Sequence, residues 1–417
     1  MNVNSTAPNV LDSGLPTFNY SLTAAPHDIL EDVRKAQARA PIAIGPLGPE
    51  ILSYEMARDI LRDNRFRMPP GITLIAQGVT SGPLYDKMMS RLLGLEGAPH
   101  TRLRKLVSRA FTPRATAGLQ GTIHDVVNNL IDRVIDAGRC DVVADVARPY
   151  PTPIMCALIG APREDWQLFS EWTDEIFKAF NFQTDATFDE AAIMRSWGEL
   201  DAYVDDMVAA RRNNLTDDLL SELIRAESDG DRLSLDELRM LVAGFLMAGT
   251  DTTRHQLAAS VQVLCEHPEQ WAKLRDQPEL AMQAVEESMR HSPAVCIAPR
   301  AATEDAEFGG YMFPAGTFVL VNTFAANRDP AIYDDADRFD IARKDLPAIL
   351  TFGGGAHYCL GANLARRELA EALTILTRRL SAPHRIGPAP WKSLLGMTGP
   401  TTLDIEFEAE RLVTADA

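Results

Sequence analysis

One run of residues carries the densest chemical signal in the chain: Phe352-Gly353-Gly354-Gly355-Ala356-His357-Tyr358-Cys359-Leu360-Gly361. Three consecutive glycines allow backbone conformations that other residues resist, and they let the chain lie flat against a large planar group. Cys359 stands just before a helical pattern that runs from Ala362 to Leu380. The free amides and positive end of that helix favour a thiolate over a thiol. A thiolate so placed suits the axial position of a haem iron, where it donates electron density that favours O–O cleavage. A glycine-rich turn before an ordinary buried cysteine is the plainer alternative, but F-G-G-G-x-H-x-C-x-G is far more specific than a lone glycine loop.

Three further segments carry chemistry. Ser234-Leu235-Asp236-Glu237 has the spacing of a capping box, and the helical pattern from Leu238 ends at His267-Pro268. Such a helix would run about 45–50 Å and cross the whole body. In its middle lies Ala248-Gly249-Thr250-Asp251-Thr252-Thr253, a poor choice for a helix interior. Thr252 can bond back to the Ala248 carbonyl, which tends to bend a helix and open a groove. An uneventful helix with an exposed acid is the bland alternative. Glu287-Ser288-Met289-Arg290 sets acid and base at i,i+3, a pairing that alone means little. His100 and Arg104 lie one turn apart at the start of another helix, and by themselves they read as a solvated face.

Taken in order along nearly the whole chain, these segments resemble the cytochrome P450 family, of the soluble bacterial kind. The resemblance implies haem b bound between the long helix and the cysteine loop, with Cys359 as the metal ligand. It implies that the mid-helix groove holds dioxygen, with Asp251 and Thr252 as the catalytic pair supplying protons. His100, Arg104, Arg300 and His357 would hold the haem propionates, as charge-assisted donors do. Ala248, Gly249, Phe352 and Gly361 would complete the cofactor contacts. Glu287, Arg290 and Arg338 would form a structural network behind the haem. Electrons would come from a separate ferredoxin and its reductase, because no flavin or iron–sulfur module is evident in the chain. Arg102, Lys105, Arg109, Arg366 and Arg367 form either a docking face for an acidic ferredoxin or ordinary solvated charges.

Positions expected near the iron are Gly244, Met247, Ala248, Val295, Cys296, Ala298 and Thr398, all uncharged and mostly small or apolar. Such a lining favours a lipophilic substrate, of terpenoid, fatty-acyl or steroid-like kind, that is hydroxylated or epoxidised. The loop-like stretch 66–97 and the helical stretch 166–203 would set specificity.

The elements that must position these residues are mainly helical. Helical pattern dominates from His100 to Pro293, with strands read at PIAIG, EILS, FVLV and LDIEFE. The expectation is a mainly α, α+β body of the cytochrome P450 fold. It would form one domain over residues 1–417, with a flexible segment at 1–26. The chain has 417 residues and a formal charge of −17, which argues against nucleic acid and anionic membranes as partners. No apolar run reaches the length of a membrane span, and five scattered cysteines suggest neither disulfides nor zinc. A cytoplasmic enzyme is expected. Two rivals remain at this stage: a haem sensor or carrier without turnover, and a cofactor-free helical binding protein.

Overall fold

Ser234 opens the longest helix of the molecule, Leu235–Glu266. Its hydroxyl accepts from the Glu237 amide at 3.1 Å, and the Glu237 carboxylate accepts from the Ser234 amide at 2.9 Å. Two orphan donors are thereby satisfied and the first turn is fixed. Pro268 forces the end of the helix and begins the next one, Pro268–Asp276. The computed structural model describes residues 7–69, 71–180, 188–228, 233–344 and 346–409.

The long helix is buried on most of its circumference, because others wrap it. Helices Pro151–Ile159, Trp166–Phe177, Glu190–Arg212, Ala281–His291 and Ala362–Arg379 all pack against it. Leu238, Leu241, Val242, Leu246 and Met247 join its neighbours in one large apolar core. One stripe stays open: Gly244, Ala248 and Thr252, each four residues from the next, are at least partly accessible, while Ala243, Phe245, Met247, Asp251 and Thr253 beside them are buried.

A five-stranded sheet stands beside the helical body, in the order Ile42–Gly45, Gly48–Ile51, Phe318–Asn322, Ile297–Ala302, Phe66–Arg67. Gly48–Ile51 runs parallel to Phe318–Asn322, with Glu50 opposite Leu320. Ile297–Ala302 runs antiparallel to it, with Arg300 opposite Val319. A three-stranded sheet pairs Asp404–Ala409 with both Arg139–Asp141 and Leu380–Arg385, and a short hairpin joins Ala306–Phe308 to Tyr311–Phe313.

The strands read from PIAIG, EILS, FVLV and LDIEFE all form. The stretch 66–97 is not the open loop its prolines suggest. It folds into Phe66–Arg67, Ile72–Ala76, Pro83–Met89 and a tight turn at Leu92–Gly94. Pro83 sits in the first helical turn, where its missing amide costs nothing. Nor is the N-terminal segment flexible from Ala7 onward. The Val10 amide donates to the Met312 carbonyl at 2.9 Å, and the Phe18 amide to the Ile44 carbonyl at 3.1 Å. Val10 and Phe18 are buried in the cores beside the sheet, so apolar burial ties this segment down.

Candidate active site

The cysteine loop is shaped by its glycines. Gly353 and Gly355 lie at φ values of +70° and +66°, and a Cβ on Gly355 would stand 2.5 Å from the Leu61 carbonyl oxygen. Only glycine fits there. The Cys359 amide donates to the Phe352 carbonyl at 2.9 Å, which closes the loop immediately before the helix Ala362–Arg379. Burial pushes the Cys359 thiol above its ordinary range, opposed by the Gly361 amide and the charges of Arg104 and Arg366. Those three groups favour negative charge on sulfur, as an iron-bound thiolate requires. The Arg366 guanidinium also lies 4.4 Å over the Phe352 ring. Burial first, and nearby acids for Cys140, Cys156 and Cys265, push the other four cysteines up to about 12, so they are inert by comparison.

Donors for two carboxylates gather above this loop. His100 and His357 lie against each other with ring centroids 4.5 Å apart and planes tilted by 45°. Arg300 is buried, its one side-chain hydrogen bond among the described residues runs to the Pro299 carbonyl at 2.8 Å, and burial, partly opposed by the Glu96 charge, pushes its pKa down to about 10. Among the described residues it has no carboxylate partner. A buried cation left so is the mark of a missing anion, and a haem propionate fits. Arg104 donates instead to the Tyr358 carbonyl, on the loop side, so it braces the backbone next to Cys359. Glu96 was not anticipated. It opens the helix Gly97–Val107 and its carboxylate lies 2.9 Å from His357 Nε2. Its place four residues before His100 was the available signal.

On the long helix the Thr252 hydroxyl donates to the Ala248 carbonyl at 2.8 Å, as its spacing suggests. Asp251 is buried and turned off the open stripe. Its carboxylate pairs with Arg254, which binds Asp174 at 2.6 Å, and Asp174 in turn pairs with Arg148 at 2.6 Å. Burial works against charge on Asp174, but Arg254 and Arg148 overcome it and hold the carboxyl below its ordinary value. Arg148 is half exposed, so this chain of charges runs from Asp251 to solvent. His255 is kept neutral: burial pushes it down to about 4.

Several expected site residues face elsewhere. Gly249 does not turn its α-carbon toward the open stripe; a Cβ there would collide with the Met155 sulfur and stand 2.9 Å from its Cγ. Its missing side chain serves helix–helix approach. Met247 is fully buried in the main core on the closed side of the helix. Cys296 points back into the N-terminal core with Phe18 and Leu394, its sulfur toward the Pro293 carbonyl at 3.6 Å. Thr398 is buried, and its hydroxyl donates to the Lys392 carbonyl at 2.8 Å. Strand alternation explains these two misses, since neighbouring side chains face opposite ways. Their neighbours Val295 and Met397 form an antiparallel bridge and are partly accessible, as are Ala298, Gly244 and Ala248.

The network behind the site also differs in one member. Arg290 grips Glu287 with two bonds of 2.7 and 2.8 Å and donates to the carbonyls of Asn327, Ala336 and Arg338. The third side chain is Arg343, with Nε 3.4 Å from Glu287 Oε1. Arg338 supplies only its carbonyl, and its side chain points outward to Asp340 at 3.2 Å. Two guanidinium groups already converge on that carbonyl, which leaves the Arg338 side chain no way inward.

A sequence profile described as cytochrome P450 matches residues 84–385. The chain belongs to the cytochrome P450 family. It is 39% identical to luteothin monooxygenase of Streptomyces thioluteus, over 91% of this chain and 93% of that protein. It is 37% identical to mycinamicin IV hydroxylase/epoxidase of Micromonospora griseorubida, over 86% of this chain and 90% of that one. The crystal structure of CalO2 superposes with a TM-score of 0.87 at 29% identity, covering 93% of this chain and 98% of its own. The protein is therefore a cytochrome P450 monooxygenase with haem as its cofactor and the helix-rich P450 fold. Among the described residues no helix is long and apolar enough to cross a membrane.

Proposed function

We propose that Cys359 would hold the haem iron through its thiolate and that Asp251 and Thr252 form the proton relay of a monooxygenase acting on a lipophilic substrate. The observation that carries this reading is the cysteine loop. Its backbone is fixed by Gly353 and Gly355, and Cys359 stands before a helix start between Arg104 and Arg366.

Haem, when bound, supplies the activation of dioxygen and the transfer of one of its oxygen atoms to substrate. His100, Arg300 and His357 hold the propionates, and Phe352 packs at the cysteine side. Gly244 and Ala248 leave room on the open stripe. The Thr252 hydroxyl, tethered to the Ala248 carbonyl, would turn from that acceptor to give its proton into that space. Asp251 resupplies it, recharged through Arg254, Asp174 and the solvent around Arg148. Asp251 is held on the charged side by Arg254, so it would have to turn toward Thr252 to hand over its proton.

The chamber is lined by Val295, Ala298 and Met397 beside Gly244 and Ala248. Such walls suit terpenoid, fatty-acyl or steroid-like molecules. The similarity to a mycinamicin IV hydroxylase/epoxidase supports hydroxylation or epoxidation as the outcome. Electrons come from a separate ferredoxin served by its reductase. Arg102 and Arg366 are engaged by Glu237 and Glu286, so the docking face reduces to Lys105, Arg109 and Arg367. A cytoplasmic setting suits five free cysteines.

The test is the optical spectrum of the reduced protein under carbon monoxide. Wild type should give the strongly red-shifted Soret band of a thiolate–iron–CO complex, and Cys359→Ala should lose it. A wild type that binds haem but lacks the band removes Cys359 as ligand.

A further inference from the structure

Among the described residues Arg91 is a cation without a counter-ion. It follows the helix Pro83–Met89 and leads into the turn Leu92–Gly94, which packs against the long helix. Its guanidinium carbon lies 4.4 Å from the centroid of the Phe180 ring and 5.9 Å from that of Trp197. Its one side-chain hydrogen bond is a weak contact with the Met88 sulfur at 3.5 Å. Among the described residues no carboxylate pairs with it, although its neighbour Lys87 is paired with Asp201. Burial pushes its pKa down to about 10, so it remains charged at neutral pH.

The Phe180 turn that Arg91 packs against lies beside the backbone that borders the chamber proposed above. The carbonyl oxygen of Phe180 lies 4.0 Å from where a Cβ on Gly396 would stand. Met397 follows Gly396 and bridges to Val295, on the partly accessible side of that strand. Phe180 therefore adjoins the segment that leads into the Met397–Val295 bridge, and Arg91 lies over its ring. Aromatic faces offset part of the cost of desolvating a guanidinium, but they accept none of its five N–H donors. Its planar fork matches a carboxylate in charge and in geometry.

We propose that Arg91 anchors a carboxylate on the lipophilic substrate, with Phe180 and Trp197 holding the guanidinium at the far end of the chamber wall. The inference rests on the haem-pocket reading above and narrows its substrate class. A charged terminus fixed at one end also sets which carbon reaches the iron. The sequence reading points away from a charged substrate, because the residues it places near the iron are all uncharged and mostly small or apolar.

The experiment uses the haem-loaded protein and ligands whose imidazole nitrogen binds iron from the substrate side. ω-(Imidazol-1-yl)alkanoic acids of graded chain length are compared with their methyl esters and with 1-butylimidazole, by the Soret shift on titration. At the length that spans iron to Arg91, wild type should bind the acid at least about tenfold more tightly than the ester. Arg91→Met should lose that preference and Arg91→Lys should keep part of it, while both bind 1-butylimidazole like wild type. An ester that binds as well as its acid at every length overturns the proposal. So does an acid preference that survives in Arg91→Met. If 1-butylimidazole itself produces no shift in wild type, the haem-pocket reading has failed and the inference falls with it.

Discussion

The Thr252 hydroxyl donates to the carbonyl of Ala248 across 2.8 Å, one turn back on the same helix. That carbonyl is also the ordinary backbone acceptor at this point of the helix, so two donors share it and the local bond is loosened. The hydroxyl sits on the open stripe with Gly244 and Ala248, whereas Asp251 is held on the charged side by Arg254.

Thr252→Ala should therefore leave haem content and substrate affinity unchanged while electrons are spent without product. Loss of a positioned proton donor typically costs about 100-fold or more in the assisted step. The ratio of product formed to reduced cofactor consumed should fall severalfold, and Thr252→Ser should restore most of it. Unchanged coupling in the alanine variant removes Thr252 from the relay.

Gly249 turns toward Met155, a helix–helix contact that the sequence alone does not record. An added methyl would collide with the Met155 sulfur, so Gly249→Ala should cost about 1–3 kcal/mol of stability by overpacking. Paired with Met155→Ala, the loss should shrink by at least about 0.5 kcal/mol, as expected for residues in direct contact. Denaturant unfolding of the two single variants and the double variant measures this. Strictly additive losses would show that the two residues do not meet.

What was legible in the sequence was whatever depends on spacing along the chain. The capping box at Ser234, the back-bond of Thr252, the grip of Glu287 by Arg290 and the position of Cys359 before a helix are all local. What failed depends on which way a side chain faces in three dimensions. Cys296 and Thr398 sit one residue from the accessible positions Val295 and Met397, and an extended chain reverses direction at each step. Met247 and Gly249 flank the open stripe by a single helical position. Arg91 was invisible for another reason: the absence of an acid partner is a property of packing, and no pattern in the sequence records it.

The network behind the site gives a comparison of two arginines. The Arg343 side chain is 8% exposed and joins Glu287, whereas that of Arg338 is 59% exposed. Arg343 also donates to the carbonyls of Asp334, Asp335 and Arg338. Arg343→Ala should cost about 3 kcal/mol, as expected for removing one member of a buried charge network. Arg338→Ala should stay within about 0.5 kcal/mol of wild type, as surface changes usually do. Thermal unfolding of the haem-loaded variants measures both. Equal losses would return Arg338 to the network.

Glu368 should make the protein weaker at alkaline pH. It is buried at the long helix with only the Thr253 hydroxyl against its carboxyl, and burial pushes its pKa up from 4.5 to about 8. Between those two values the folded chain keeps a proton that the unfolded chain gives up, so folding is favoured at the acid end of the window. The contribution is complete below 4.5 and is lost as pH rises through about 8. Glu368→Gln replaces the carboxyl with a neutral group of the same shape. It should unfold at higher denaturant than wild type at about pH 9 and lose the difference near pH 5. His291 acts in the opposite sense. Burial pushes it down to about 2, so its contribution is present above 6.5 and fades as pH falls. That acid limb should be the same in wild type and Glu368→Gln. If the variant also keeps the alkaline limb of wild type, Glu368 is already ionised in the folded protein and its buried charge has a partner within the haem-loaded structure.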